Sequence, residues 1–365
     1  MHMMVKLAIS ISLLSALTCG AQALTRADLG RKALETVVTH IKSDDSDVRA
    51  LAAEILGDAG NRSASGILRK LLEDKDKYVR IAAARSLWEL GSPVGVKTIY
   101  AIINDVPAQG PVAVTNTPLV ELKIISQNKI RAKAMETLVR MKGEKASEIL
   151  FKMKNDNYGT IRDAAARELA RIGYDEELTQ FTDALASEDE ALRYESALVM
   201  GKVCSPAAAQ PLKTLLASEK SVRVKMAALD ALNCNPSKKE ALKELLKLAD
   251  DENSTIKYKA VTALSGIKDP GAQSKLAALA AGTSDIRLRI VAQKGLALGG
   301  TPPDAATVRS ALDAVSPDIK LAALDLLAAF PEDQAVPLLA AALDDVNVQV
   351  KLTAALQVLK RFSRQ

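Results

Sequence analysis

One pattern recurs ten times in this chain, and it restricts the fold more than any other feature. Ten basic residues, Arg49, Arg80, Arg131, Arg162, Arg193, Lys225, Lys257, Arg289, Lys320 and Lys351, follow at intervals of 31, 51, 31, 31, 32, 32, 32, 31 and 31 residues. The residue before each is a branched aliphatic, from Val48 and Val79 through to Val350. Three residues after each anchor stands Ala, except Ser196 in the fifth unit. Seven after it stands Leu, except Met200 and Val358. Positions −1, +3 and +7 share one stripe of an α-helix, so every unit holds a helix with a bulky–small–bulky face. The small residue admits a neighbouring helix, and the large ones fill the space beside it.

Each unit also has an upstream apolar stretch, such as residues 64–72, 147–153, 177–185 and 239–248. Turn residues separate the units, among them Gly91-Ser92-Pro93, Gly143, Gly173 and Asp269-Pro270-Gly271. Two short helices cannot bury their apolar faces alone, so the units must stack. Six residues before the anchor stand Ser43, Asp74, Ile125, Asp156, Ser187, Glu219, Asp251, Thr283, Ala314 and Asp345. Eight of these ten are acidic or hydroxylic, able to accept backbone N–H bonds or to meet the anchor's cation.

These columns together resemble the HEAT repeat, and within it the short bacterial form also seen in phycobilisome lyases. The resemblance runs from about residue 27 to residue 361. It implies an all-α fold, a right-handed α-solenoid (superhelix) of about ten two-helix HEAT-like repeats. The second helices would line the concave face. The column residues Arg49, Arg80, Arg131, Arg162, Arg193, Asp74, Asp156, Asp251 and Asp345 would form a structural ladder between units. Such folds mostly bind other proteins. With stacked units about 8–10 Å apart, the expected shape is a curved rod roughly 80–100 Å long.

The first 23 residues have a different character. Lys6 precedes an apolar run from Leu7 to Leu17, and small residues lead to Ala21-Gln22-Ala23. This is the layout of a secretory signal peptide, with cleavage expected after Ala23. The run is too short to span a bilayer, and no later segment is apolar for long enough. The expected organisation is a signal peptide over 1–23 and a single solenoid over 24–365. The expected location is periplasmic or secreted. Cys19 raises lipidation as an alternative, but Thr18 and Ala16 fit a lipoprotein signal poorly.

The long interval between Arg80 and Arg131 marks an insertion in the third repeat, about residues 104–125. Three prolines and a glycine between Val106 and Pro118 read as an irregular loop. No breaker follows from Pro118 to Lys142, so a helix of about 24 residues is expected there. The loop is either a partner contact or a tolerated surface insertion. Its candidate partner-binding residues are Pro107, Val112, Val114 and Thr117. Tyr194 and Tyr258, one residue after their anchors, are further candidates, either as interface anchors or as edge packing.

The +5 column begins Glu54, Arg85, Glu136, Arg167, an alternation that suits ion pairs between repeats. It fits a mixed-sign protein partner or a solvated helix face, and it fits DNA or RNA poorly, because phosphates require a run of cations. Aromatics at 3% likewise argue against a base-stacking platform, so no nucleic-acid partner is expected. Removing residues 1–23 leaves 48 basic against 44 acidic residues, interleaved along the chain. Cys204 and Cys234 end second helices of neighbouring units. Stacked helices 8–10 Å apart exceed the 7 Å Cα limit of a disulfide, so a bond requires the turns to lean together.

His40 is the only histidine after the signal segment and suits a helix C-terminus. No catalytic residue, metal site or cofactor is expected. No phosphate-binding glycine loop occurs. The HEAT-type deoxyhypusine hydroxylases need paired His-Glu motifs, which one histidine cannot supply. The resulting expectation is a non-enzymatic protein-binding scaffold of the bacterial envelope. The alternatives are an enzyme like the bilin lyases or a membrane-anchored lipoprotein subunit.

Overall fold

A computed structural model describes residues 25–107 and 118–362. The signal segment, Cys19, Val112, Val114 and Thr117 lie outside the described residues. Ten helix pairs follow in order. The first units are α1 (Arg26–His40) with α2 (Ser46–Asp58), α3 (Ser65–Leu71) with α4 (Lys77–Glu89), and α5 (Val96–Ile103) with α6 (Pro118–Lys142). Next come α7 (Ser147–Met153) with α8 (Gly159–Arg171), α9 (Thr179–Ala184) with α10 (Glu190–Val203), and α11 (Ala209–Ser218) with α12 (Val222–Cys234). The last are α13 (Leu242–Leu248) with α14 (Ser254–Leu264), α15 (Pro270–Gly282) with α16 (Ile286–Leu298), α17 (Ala305–Leu312) with α18 (Pro317–Leu326), and α19 (Glu332–Ala342) with α20 (Val348–Phe362). The long helix expected from Pro118 is α6, with 25 residues.

The sequence columns map directly onto burial. All ten residues at +3 are buried, and so are nine of ten at +7, Leu296 being half-buried. A column four before the anchor, not weighed in the sequence reading, starts the second helices. Asp45, Asp76, Asp189, Asn253 and Asp285 each cap a second helix by accepting from the N–H two residues on. All eight acidic or hydroxylic residues of the −6 column accept likewise from the N–H two residues on. In the units that have both, two polar residues spaced two apart thus wind the inter-helix turn.

The anchors use this turn. Arg49 donates to the Ser43 and Asp44 carbonyls, and Arg193 to those of Ser187 and Glu188, in their own turns. Their remaining N–H groups reach the −6 acid of the next unit: Arg49 to Asp74 at 2.9 Å and Arg193 to Glu219 at 2.7 Å. Arg131 pairs with Asp156 and Lys320 with Asp345 in the same way. The expected ladder therefore forms at four junctions, each rung running from an anchor to the following repeat, while among the described residues Arg80, Arg162 and Asp251 make no such rung. Asp251 caps its own turn through the Asn253 N–H. Among the described residues Arg162 donates only to backbone carbonyls, and Ser187 stands where the next acid would be. Burial pushes the Asp74 carboxyl up, but hydrogen bonds from Arg49 and the Asp76 N–H outweigh it and hold it below the ordinary value.

Four junctions lack an acid at −6, with Ile125, Ser187, Thr283 or Ala314 in its place, and the two that also lack a hydroxyl show the consequence. Arg80 precedes the unit with Ile125, and Arg289 the unit with Ala314. These are the two arginines whose buried Nε lacks a hydrogen-bond partner among the described residues.

The ends of the array meet, so the open rod expected from the repeat count is replaced by a ring. Every successive pair of second helices is in contact from α2 to α20, and α20 then packs on both α1 and α2. One apolar cluster contains Leu29, Ala33 and Val37 of α1 together with Leu352, Ala355 and Val358 of α20. Lys32 pairs with Asp344 at 2.7 Å, and Arg26 with Glu332, across the seam. The physical reason is curvature. Successive first helices touch far less than second helices do, so each stack turns toward the second-helix side. The approach is set by tiny side chains: a Cβ on Gly57 would lie 2.5 Å from that of Ser86, and one on Gly295 would lie 2.7 Å from the Ser265 Cα. Both terminal helices carry apolar faces where a solenoid cap would be polar, and each covers the other.

Arg131 is 1% exposed, and removing it leaves Asp156 buried without its cation. Arg131→Ala is expected to cost about 3–5 kcal/mol, against about 1 kcal/mol or less for exposed Arg162→Ala. Chemical denaturation measures both, and equal losses would contradict the ladder. Ala314→Asp supplies the missing rung to Arg289 and is expected to add about 1 kcal/mol; a loss would show that the orphaned Nε is not what limits that junction.

Candidate partner-binding face

The second helices form the inner layer, so their free faces line the ring. Ten helices at about 8–10 Å spacing give an axis-to-axis diameter of roughly 30 Å. Side chains reduce the opening to about 20 Å, room for one helix or an extended segment. Ion pairs between repeats are present on this face, but the expected alternation supplies only part of them: Glu136 pairs within its own helix with Lys133 and Arg140, and among the described residues Arg167 makes no ion pair. Arg85 meets Glu54 at 3.3 Å and Asp58 at 2.9 Å, and Lys294 meets Asp325 at 2.9 Å. Lys259 reaches Asp230 at 2.5 Å.

The sign balance changes in units three to five. A cleft of about 470 Å³ is lined by Tyr78, Lys129, Lys133, Glu136, Arg167, Glu168, Arg171 and Lys202. Glu168 is buried at its base and accepts from Arg171 Nη1 at 3.0 Å. Burial pushes its carboxyl up from 4.5 to about 7; Arg171 and Arg167 pull it down and Glu136 pushes it further up. Glu136 itself is raised by burial but held below its ordinary value by Lys133 and Arg140. Arg171 also donates to the last carbonyls of α10, those of Lys202 and Val203, and so caps the neighbouring unit. The sequence reading followed the +5 column and missed this cleft. The signal stood at +9, where Arg140, Arg171 and Lys202 follow in three consecutive units.

Tyr194 is half-buried with the Arg223 guanidinium 5.1 Å from its ring centre, whereas Tyr258 stays 38% exposed. Pro107 is buried, and its carbonyl accepts from the Tyr158 hydroxyl at 3.3 Å. Its side chain is therefore unavailable to a partner as placed here, and the exposed residue at this end of the loop is Val106. His40 bonds the Thr36 carbonyl at 2.7 Å through Nδ1 at the end of α1. Among the described residues no cluster of His, Cys, Asp and Glu suits a metal ion, and no helix is long and apolar enough to cross a membrane.

Cys204 and Cys234 form a disulfide with Cα atoms 5.5 Å apart, contrary to the spacing expected for stacked helices. Two local features close the gap. Gly201 presents no side chain to Ala231, whose Cα would lie 3.5 Å from an added Cβ, so α10 and α12 approach closely. Cys204 then leaves its helix in the left-handed region with φ 56°, which turns its side chain toward the next unit.

Three regions of the chain, residues 34–110, 153–233 and 224–297, match the family model for HEAT repeats. No curated protein matches the sequence. Among solved structures, the chain is similar to the complex of CpcE and CpcF of phycocyanin lyase from Nostoc sp.. That match has 20% identity and a TM-score of 0.35, covering 69% of this chain and 92% of that one. Human deoxyhypusine hydroxylase matches at 12% identity and TM-score 0.31, covering 82% of this chain and 96% of that one. Kap121p bound to Nup53p matches at 14% identity and TM-score 0.36, covering 90% of this chain and 41% of that one.

The folded chain retains the Glu168 proton between about pH 4.5 and pH 7, where an unfolded chain has lost it. This group therefore lowers stability as pH rises through that window. Glu168→Gln removes the titration. From pH 5 to pH 8 the melting temperature of the wild type should fall by about 2–5 °C relative to the variant. A difference that stays constant with pH would contradict the buried, proton-holding carboxyl.

Proposed function

This chain belongs to the HEAT-repeat family, and from that premise we propose that it is a non-enzymatic scaffold of the bacterial envelope that holds a protein partner on its inner face. The observation that carries the reading is the closed layer of ten second helices, a surface with charges of both signs around an opening about the width of a peptide segment. Ion pairs between repeats fix the positions of its charged groups before any partner arrives, which reduces the ordering cost of binding. A mixed-sign face of this kind selects a partner by its pattern of charge.

Export is part of the proposal. The composition of residues 1–23 supports it, and so does a disulfide between Cys204 and Cys234, a bond that persists in oxidising compartments. The test is affinity capture after crosslinking in intact cells, using the tagged full chain and a form lacking Pro107–Thr117. The expected result is a complex of fixed stoichiometry released with the envelope fraction, and a mature N-terminus at Leu24. Absence of any complex, together with a measurable catalytic turnover, would overturn the scaffold; retention in the cytoplasm with residues 1–23 intact would overturn export.

A further inference from the structure

Cations on the inner face are neutralised around most of the ring. Arg85 is held by Glu54, Asp58 and Glu89. Glu190 holds Arg223, Asp230 holds Lys259 and Asp325 holds Lys294. The cleft between α6, α8 and the end of α10 departs from this rule. Lys129, Arg167 and Lys202 all line it, and among the described residues none of the three makes an ion pair. Lys133 and Arg171 add charge beside them, each shared with a carboxylate of its own helix. Five cations thus face two carboxylates, Glu136 and Glu168.

We propose that this cleft docks an acidic segment of the partner protein, a stretch carrying several Asp or Glu side chains. The inference rests on the scaffold reading and names the chemistry of what the scaffold holds. Arg167 offers a planar fork that grips a carboxylate through two N–H groups, and Lys129 and Lys202 supply point charges one unit to either side. Neighbouring units lie about 8–10 Å apart, and the cations are also offset along the helices by seven and four residues, about 10 and 6 Å, so an extended chain covers each step in three to four residues. The geometry therefore favours acids spaced three to four residues apart. The carboxylates of Glu136 and Glu168 among the cations oppose a polyphosphate backbone, and Tyr78 is the one aromatic ring that lines the cleft.

The probe is a fluorescein-labelled peptide of about 15 residues with Glu at every third or fourth position, titrated against the full chain and read by anisotropy. Saturable binding is expected, and Lys129→Glu with Arg167→Glu and Lys202→Glu should weaken it about tenfold or more. The milder set Lys129→Gln, Arg167→Gln and Lys202→Gln covers the case in which reversal disturbs folding, and should weaken binding in the same direction. A control reversal on exposed outer positions, Lys70→Glu with Lys75→Glu and Lys152→Glu, should change it less than about twofold. Equal weakening by both reversals, no saturable binding, or equally tight binding of oligodeoxythymidylate would overturn the assignment. If crosslinked capture of the partner survives the cleft reversal unchanged, the cleft proposal falls while the scaffold stands. If the wild type captures nothing and shows catalytic turnover, the scaffold falls, and the peptide titration still decides the cleft.

Discussion

How closely neighbouring second helices can approach is the constraint on which the rest of this molecule depends. Ala at +3 in nine units removes side-chain bulk from the seam between them. Gly57 against Ser86, Gly201 against Ala231 and Ser265 against Gly295 remove it again one turn further on. The first helices have no such provision, so every stacking step closes more on one side than on the other. Repeated around ten units, that asymmetry brings α20 back to α1. Ring closure then replaces the polar end caps that an open array needs. It also turns a concave strip into an enclosed, charged surface.

The charged columns divide the labour. The −6 acids and their arginines stitch one turn to the next and lie mostly buried, as Arg49 with Asp74 and Arg131 with Asp156 do. The inner-face charges stay in contact with solvent and pair across repeats, as Lys294 with Asp325 does. Desolvation makes the first set decisive for folding and leaves the second set available for recognition. Glu168 sits between these classes. It is buried like a rung but lies in the cleft, and that is why its proton affinity rises.

Periodicity made the architecture legible. The helix pairs, the buried +3 and +7 columns, the long helix from Pro118 and the arginine ladder all follow from residues that repeat. What escaped the sequence depends on relations that no single column states. Closure is a small angle summed over ten steps, and the Ala column gives its sign without its size. The disulfide was argued against from an average helix spacing, whereas Gly201 and the left-handed Cys204 set the spacing at that one junction. The cleft arose from Lys129 at −2, Arg167 at +5 and Lys202 at +9, positions on one helix stripe but each supplied by a different unit, so that neither one helix nor one column shows the three together. Pro107 was named a candidate partner-binding residue because prolines mark loops, yet it is buried with its carbonyl on Tyr158.

Closure is the central claim, and zero-length carbodiimide crosslinking of the monomer tests it most directly. Lys32 and Asp344, 312 residues apart and 2.7 Å from contact to contact, should join in a yield comparable with the adjacent-repeat pair Lys294 and Asp325. Efficient linking of Lys294 to Asp325 with no link between Lys32 and Asp344 in the monomer would mean an open array in solution, and would contradict the ring.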